Sequence, residues 1–378
     1  MICSNQTARR GFKRRTEQGV EIAALQRGGC TEYFLTASPV FGEDFPALCR
    51  RLGAVVRGLG AAIVSADVFG VEGGQVPKLH PALGGNPFPV TWVTEGYGLP
   101  DALNGIQVWA VAGAEVSPLT VNGRLVGTTF DADGIQYCRL GGLVPADLSQ
   151  SRSDQTRAVF SLMEQGLHAA GMAFSDVVRT WFYNYKLLEW YDEFNAVRTS
   201  FFQANGVFDG LVPASTGIGG ANAAGAALTA GVLAVKARPG STVAPVAVPS
   251  PLQCPAPAYG SSFSRAAEFE AGGFRRLYVS GTASIEPGGL SVHIGDMDAQ
   301  VTLTLDVVEA ILESRGMKWD DVSRAIAYFK AGTDVASFAR CCGERGISTA
   351  PFLYANTDIC RDDLLFEIEL DVFTDADL

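Results

Sequence analysis

The sequence predicts an α+β protein built from three related units in tandem, and two observations lead to this fold class. The first is an internal repeat, because seven residues recur at a shift of 145 positions (300 minus 155). In the first copy these residues are Gln155, Gly171, Met172, Asp176, Val177, Arg179 and Tyr183. The second is that both copies place an amphipathic helix, a glycine and an extended aromatic-rich segment in the same order. That order is typical of a βαβ-type unit, found here twice.

A fainter copy at the front completes the set, so we predict units at about 1–115, 116–238 and 250–378. The front copy has strand patterns at 33–38 and 62–69, with Leu48, Leu52, Val55, Val56 and Leu59 on a helix between them. It is the most degenerate of the three. A proline-rich segment at 239–257 is the predicted second linker. A division into two domains, the first ending near residue 240, also fits the sequence.

The last strand of the third unit carries a row of carboxylates. From Leu365 onward, apolar residues alternate with Glu367, Glu369 and Asp371. A period of two predicts a strand with one buried and one polar face. A solvated strand edge explains such a row, and so does a chemical role for Glu367. The pattern alone leaves both alternatives open.

Composition and charge narrow the class of protein. The chain has 47% hydrophobic and 18% charged residues, which is a globular balance, and its net charge of -11 argues against binding nucleic acid through phosphates. The basic cluster at residues 9–15 is expected to be a solvated, frayed terminus. Eight cysteines without CxxC spacing predict reduced thiols and a cytoplasmic location. We predict neither a signal peptide nor a membrane span, because no apolar run is long enough.

The sequence predicts no metal and no cofactor. Its three histidines, His80, His168 and His293, form neither an HxxxH nor an HExxH pattern. The glycine-rich stretch at 217–222 lacks the Lys-Ser/Thr of a phosphate-binding loop, so it is interpreted as a turn.

Two short motifs of the third unit resemble the RidA (YjgF/YER057c/UK114) superfamily. They are the segment 278–285, whose Ser-Gly-Thr-Ala-Ser at 280–284 more closely resembles the chorismatases, and Glu-Ile-Glu at 367–369. Three further motifs resemble the chorismatases within that superfamily: Asp-Ile-Cys-Arg at 358–361, Arg-x-Trp-x-Tyr at 179–183 and Phe-Asn-x-x-Arg at 194–198. RidA proteins typically form trimers with sites between subunits. The resemblance therefore implies a pseudo-trimer of RidA-like units in one chain, present as a monomer or low-order homo-oligomer.

The resemblance to chorismatases also implies a reaction, the release of pyruvate from chorismate or a related enolpyruvyl ether. In this family Glu367 corresponds to the general acid. Protonating the methylene carbon of an enol ether requires a carboxyl group that keeps its proton near neutral pH. Burial or nearby negative charge supplies that property, and Glu369 lies two residues away.

The same resemblance implies residues that bind a small-molecule carboxylate substrate: Arg179, Arg198, Tyr259, Ser280, Ala283, Lys330 and Cys360. The arginines, with Lys330, are expected to hold its carboxylates. A cysteine at 360 is similar to the chorismatase branch that makes 3-hydroxybenzoate. Plain structural roles stay open: surface ion pairs for the arginines, a turn at Tyr259, tight packing at Ser280 and Ala283, and core filling by Cys360.

Two departures from family patterns keep other functions in view. Lys330 stands where chorismatases generally have arginine, and Ile359 stands near the arginine of RidA deaminases. One rival is therefore a RidA-type hydrolase of 2-imino or enamino acids, in which Glu367 positions water. Another is a carboxylate-binding protein without catalysis. Release of pyruvate, release of ammonia or binding without turnover distinguishes the three.

Overall fold

The computed structural model describes residues 11–70, 76–94, 103–330 and 335–376, without the side chains of 76–78, 103 and 259. Within this part of the chain, three mixed sheets are covered by helices. The elements up to residue 112 are β1 (Gly11–Glu17), β2 (Val20–Gln26), β3 (Thr31–Ala37), α1 (Phe45–Gly58), β4 (Ala62–Gly70), α2 (Val76–Leu83), β5 (Val90–Thr94) and β6 (Leu103–Ala112).

The middle and C-terminal parts have a similar element order. The middle elements are β7 (Ser117–Val121), β8 (Arg124–Ala132), β9 (Ile135–Leu143), α3 (Arg152–Ala169), β10 (Val177–Asn184), α4 (Tyr191–Ala204), β11 (Ala214–Gly219), β12 (Ala221–Asn222) and β13 (Leu228–Ala237). The C-terminal elements are β14 (Val246–Val248), β15 (Ala266–Ala271), β16 (Phe274–Ala283), α5 (Met297–Ser314), β17 (Val322–Phe329), α6 (Val335–Arg345), β18 (Phe352–Asn356) and β19 (Phe366–Asp375).

Each unit contributes most of one sheet. The strand orders are β1-β2-β3-β6-β4-β5-β12, β11-β10-β13-β9-β8-β7 and β14-β15-β16-β19-β17-β18. The short strand β12 crosses over, because it comes from the middle unit but pairs with β5. The boundaries near residues 115 and 238 remain predictions, since a sheet does not define where an independent unit begins.

The strand registers reveal an approximate threefold relation between the sheets. The pairing of the closing strand with its neighbour shifts at the same place in each unit, between Ile63 and Ser65, Val177 and Arg179, and Val322 and Arg324. Aligning these shifts makes Phe69, Tyr183 and Tyr328 equivalent. The ring of Phe69 lies 5.8 Å from that of Tyr183 and 6.5 Å from that of Tyr328, so the three rings meet in the shared core. The predicted α+β pseudo-trimer is confirmed.

Local sequence explains the outer helices. In α1, the Asp44 side chain caps the first turn by accepting from the amide of Ala47, and Leu48, Leu52 and Val55 are buried against the N-terminal sheet. The predicted basic cluster differs from expectation where the structure describes it, while Arg9 and Arg10 lie outside the described residues. Residues 11–17 are not frayed, because β1 pairs along its whole length with β2. A full ladder of backbone hydrogen bonds outweighs the repulsion among its basic side chains.

The acidic strand β19 lies inside its sheet, between β16 and β17. Its carboxylate face is covered by the neighbouring units, so Glu367, Glu369 and Asp371 are only 4%, 0% and 3% exposed. The alternative of a solvated edge is therefore wrong. A row of three buried carboxyl groups requires specific partners, because an unpaired buried charge is costly.

Candidate active site

A cleft of about 620 Å³ lies between the middle and C-terminal units. One wall is formed by α4 and β11 of the middle unit, and the other by β16, the start of β19 and the segment before β15. Its floor includes Gly281 and Glu367, and its lining also includes Cys360, Arg361 and Ser261. Such a site between units is where the predicted pseudo-trimer places its chemistry.

Small residues on β11 leave room for the cleft. Ser215 and Gly217 face it, and a β-carbon at Gly217 would lie 3.3 Å from the hydroxyl oxygen of Tyr191 on α4. The register makes Phe352 and Tyr354 of β18 their equivalents in the C-terminal unit. Larger side chains therefore occupy these positions there, and the middle unit keeps the space open.

A glycine bulge brings β16 against the acid. Ser280 and Gly281 together face Glu369, since the register shifts between Val279 and Thr282. A β-carbon at Gly281 would lie 2.0 Å from Oε1 of Glu367, so any side chain at this position would displace the Glu367 carboxyl group. The amide of Gly281 donates to Oγ1 of Thr216 at 3.1 Å, which fixes the bulge to β11.

The Glu367 carboxyl group is suited to hold a proton near neutral pH. Burial raises its pKa to about 8, the negative charge of Glu369 adds to the shift, and Arg179 and Arg265 oppose it. It is therefore mostly protonated at pH 7, while an ordinary glutamate is ionised. A protonated acid at the floor of a cleft can donate to a bound substrate.

Glu369 behaves in the opposite way. Its carboxylate accepts from Nη2 of Arg179 at 3.0 Å, Nε1 of Trp181 at 2.9 Å and Nη2 of Arg324 at 3.0 Å. Burial raises the pKa of Glu369, but Arg179 and Arg324 outweigh burial and hold it below its usual value. One face of β19 thus carries a neutral acid beside an ionised one.

Three arginines line the cleft with Glu367: Arg198, Arg265 and Arg361. Arg198 donates to Oδ1 of Asn195 at 2.6 Å, Arg265 donates twice to the carbonyl of Cys254, and Arg361 donates to the carbonyl of Gly289 at 2.8 Å. These bonds hold the guanidinium groups in place. Fixed guanidinium groups provide a charge and paired donors for an anionic ligand.

The structure brings Arg198, Ala283 and Cys360 to the cleft with Glu367. Burial raises the pKa of the Cys360 thiol to about 12, so the thiol is neutral. Arg179 is fully buried and is not part of the cleft lining. Its Nη2 donates to Oγ1 of Thr216 at 2.7 Å and to Glu369.

Three other predicted site residues occupy different surroundings. Ser280 is fully buried, donates to the carbonyl of Ser264 and accepts from the amide of Ser215 at 2.9 Å. Lys330 bonds the side chain of Asp362 at 2.6 Å, away from the cleft lining. Tyr259 ends a short 3-10 helix, and its side chain lies outside the described residues. The substrate-binding roles of these residues, and of Arg179, stay predictions.

Sequence reasoning missed Arg265, Arg361 and Thr216. Arg361 was visible in the Asp-Ile-Cys-Arg motif, next to the residue that was chosen from it. Arg265 lies six residues after Tyr259, one of the predicted site residues, but no spacing rule links it to Glu367. Thr216 carries no signal, because its role depends on how β11 approaches the bulge of the next unit.

Neither a metal centre nor a membrane span is found in the described part of the chain. No group of three or more His, Cys, Asp or Glu side chains is arranged to hold a metal ion there. None of the helices described is long and apolar enough to cross a membrane.

Comparison with known proteins gives chorismatases as relatives, although no family profile matches the chain. A chorismatase of Streptomyces hygroscopicus is 30% identical over 260 residues, covering 63% of this chain and 74% of that protein. A 3-hydroxybenzoate synthase of the same species is 28% identical over 293 residues, covering 70% of this chain and 80% of that protein. A crystal structure of a chorismatase matches 90% of this chain and 98% of its own, with 22% identity and a TM-score of 0.62.

These findings define first a class of protein, an α+β fold of three mixed sheets in one chain, which a solved chorismatase shares. Within that class, the first relative covers enough of both sequences to settle the family. The chain belongs to the chorismatase family.

Proposed function

We propose that the protein releases pyruvate from chorismate or a related enolpyruvyl ether, with Glu367 as the general acid. One observation carries the proposal: a buried carboxyl group with a pKa of about 8 faces a cleft lined by Arg198, Arg265 and Arg361. A dianionic substrate needs fixed cations, and the acid needs its proton. The names of the chorismatase and 3-hydroxybenzoate synthase relatives support this substrate class.

In the proposed reaction Glu367 gives its proton to the methylene carbon of the enol ether. The electron pair of the C=C bond forms the new C–H bond and leaves an oxocarbenium carbon. Water adds there, its proton passing to the Glu367 carboxylate. In the resulting hemiketal the bond between the former enol carbon and the ether oxygen breaks, the hydroxyl group loses its proton to become the carbonyl of pyruvate, and the ether oxygen takes up a proton to become the ring alcohol. Bound substrate carboxylates near the acid also favour its protonated form.

The test is an assay of pyruvate formed from chorismate by the parent protein and by Glu367→Gln. The variant keeps the shape but has no transferable proton, so the rate should fall by roughly 10²- to 10⁴-fold with binding largely kept. Glu270→Gln removes an exposed carboxyl group from the same sheet and should change little. No pyruvate from the parent, or an equal rate from Glu367→Gln, would refute the proposal.

The same preparation distinguishes the rival functions. Ammonia released from a 2-imino acid, without pyruvate from chorismate, would identify an imine hydrolase. Saturable binding of chorismate without either product would identify a binding protein.

A further inference from the structure

The ionised Glu369 belongs to a buried network built from all three units. Its partner Arg324 also donates to Oδ2 of Asp371 at 3.2 Å and to Oε1 of Gln107 at 3.0 Å. Gln107, from β6 of the N-terminal unit, donates in turn to the carbonyl of Ala325 at 2.9 Å and to Oγ1 of Thr36 at 3.2 Å. Through Gln107, the N-terminal unit therefore fixes the position of Arg324, which in turn bonds Glu369.

We propose that Glu369 is a positioning residue whose fixed negative charge adds to burial in keeping Glu367 protonated, and that the N-terminal unit contributes by fixing Arg324 through Gln107. The consequence for catalysis rests on the proposed function. The electrostatic coupling itself does not, because it exists without substrate. It gives the degenerate N-terminal unit a part in the chemistry of a cleft that it does not line.

The geometry of the strand supports this coupling. Glu367 and Glu369 lie on one face of β19, two residues apart, which corresponds to roughly 7 Å. Both side chains are buried, so their repulsion is weakened less than it would be between surface charges. Among the residues that the structure describes, Arg179 and Arg324 both form ion pairs with Glu369, and no arginine forms one with Glu367. Glu369 is therefore the carboxyl group that stays ionised, and Glu367 is the one that keeps the proton.

The closing strands of the other units lack this arrangement. The register makes Gly105 and Thr229 equivalent to Glu367, and Gln107 and Gly231 equivalent to Glu369. A pair of carboxyl groups at these positions is thus specific to the strand that faces the cleft. A purely structural ion pair would not need a second acid two residues away.

The charged and titratable groups around the two acids come from every element packed against them. They are Asp67 on β4, Arg139 on β9, which pairs with Asp67, Arg179 and Tyr183 on β10, Tyr191, Asp192 and Arg198 on α4, Arg265 before β15, Arg324 and Tyr328 on β17, Cys360 and Arg361 before β19, and Asp371 on β19. Burial raises the pKa of Tyr183, of Tyr328 and of the Cys360 thiol, so these three groups are neutral. The arginines and carboxylates therefore set the electrostatic field at the two acids.

The test is a titration of the Glu367 carboxyl group by NMR in protein carrying ¹³C-labelled glutamate, with the signal assigned by its absence in Glu367→Gln. In Glu369→Gln the midpoint should fall by about one to two pH units. Asp371→Asn is the matched control, because Asp371 shares the strand face and Arg324 but lies about twice as far from Glu367. Its effect should be about half as large or less. Glu369→Asp keeps the charge and should restore most of the shift.

Two outcomes would overturn the inference: an unchanged midpoint in Glu369→Gln, or a shift no larger than that of Asp371→Asn. If Glu369→Gln does not fold, the test is made on the parent protein. The NMR signal of Glu369 is then assigned by its absence in Glu369→Asp. At pH 7 the Glu369 signal must be that of a carboxylate and the Glu367 signal that of a neutral acid, and the reverse order contradicts the inference. A shifted midpoint in a protein that releases no pyruvate would refute the proposed function and leave the coupling intact.

Discussion

At the interface between the middle and C-terminal units, the edge strand β11 carries small side chains. The equivalent strands of the other two units carry larger side chains at the same positions. On β11 these positions hold Ser215 and Gly217. On β18 they hold Phe352 and Tyr354, and on β5 they hold Val90 and Trp92. Trp92 packs against Phe45 of α1 at 5.2 Å and Tyr354 against Phe338 of α6 at 5.9 Å. Equivalent strands thus give packed core in two units and a cleft wall in the third.

The backbone frame of the interfaces is shared even where the side chains differ. At the open cleft the amide of Gly281 donates to Oγ1 of Thr216, and between the first two units the amide of Gly142 donates to Oγ1 of Thr91 at 3.2 Å. Gly281 and Gly142 belong to equivalent bulges, but the nearest atoms differ: a side-chain oxygen of Glu367 at Gly281 and the backbone carbonyl oxygen of Val90 at Gly142. A few side-chain differences on a shared backbone are therefore enough to create a cleft at one interface, while the equivalent strands of the other units stay packed.

The largest effect is expected from Gly281→Ala, set against Gly142→Ala. A β-carbon at Gly281 would lie 2.0 Å from Oε1 of Glu367, so the acid must leave its position and turnover should fall by at least about 100-fold. At Gly142 a β-carbon would lie 2.2 Å from the carbonyl oxygen of Val90, at a φ of +60°, so stability should fall instead. Thermal unfolding and pyruvate release measure both. Equal loss of activity per folded molecule in the two variants would remove the distinction between the interfaces.

The second prediction concerns a variant that fills the open interface with a side chain found in the C-terminal unit. Gly217→Tyr introduces the residue found at the equivalent position 354, and its ring should enter the cleft of about 620 Å³. We expect the KM to rise by at least about tenfold, because the ring enters the cleft. The loss of stability should be small, because only the end of the Tyr191 side chain, 3.3 Å from the new β-carbon, has to move. The converse variant, Tyr354→Gly, should lower the free energy of unfolding by about 3 kcal/mol through the cavity it leaves. Calorimetric binding and chemical denaturation test the pair, and unimpaired binding in Gly217→Tyr contradicts it.

The sequence predicted the repeat because positions facing the shared core are constrained alike in each unit. Arg179 and Arg324 recur at a shift of 145 positions, and both now bond Glu369. The alternation in β19 predicted a face of carboxyl groups. It could not tell that the face is buried, because a period of two describes one strand and not the sheet that covers it. Arg265 escaped notice for a similar reason, since its distance from Glu367 is set by tertiary packing.

The third prediction concerns pH. The folded pKa of Glu367, about 8, lies above its ordinary value, so the protonated acid is present below pH 8 and activity should fall about tenfold per unit above it. The same shift costs stability as pH rises from about 4.5 to 8, since the unfolded chain loses this proton first. Glu367→Gln should therefore unfold at a higher temperature than the parent at pH 8 and at a similar temperature at pH 4. A gain in stability that is equal at both pH values would argue against a raised pKa.

The smallest effect is expected at Lys330, where resemblance predicts a substrate contact but the structure shows a bond to the exposed Asp362. A solvent-exposed ion pair contributes little to stability, so Lys330→Met should leave the unfolding temperature nearly unchanged. If the arginines alone bind the substrate carboxylates, Lys330→Met should change the KM less than threefold. Arg198→Met removes a cation from the cleft lining and should raise the KM by at least about tenfold. Asp362→Asn is the control, because it breaks the same pair from the other side. An increase in KM for Lys330→Met that Asp362→Asn does not share would return Lys330 to the substrate site.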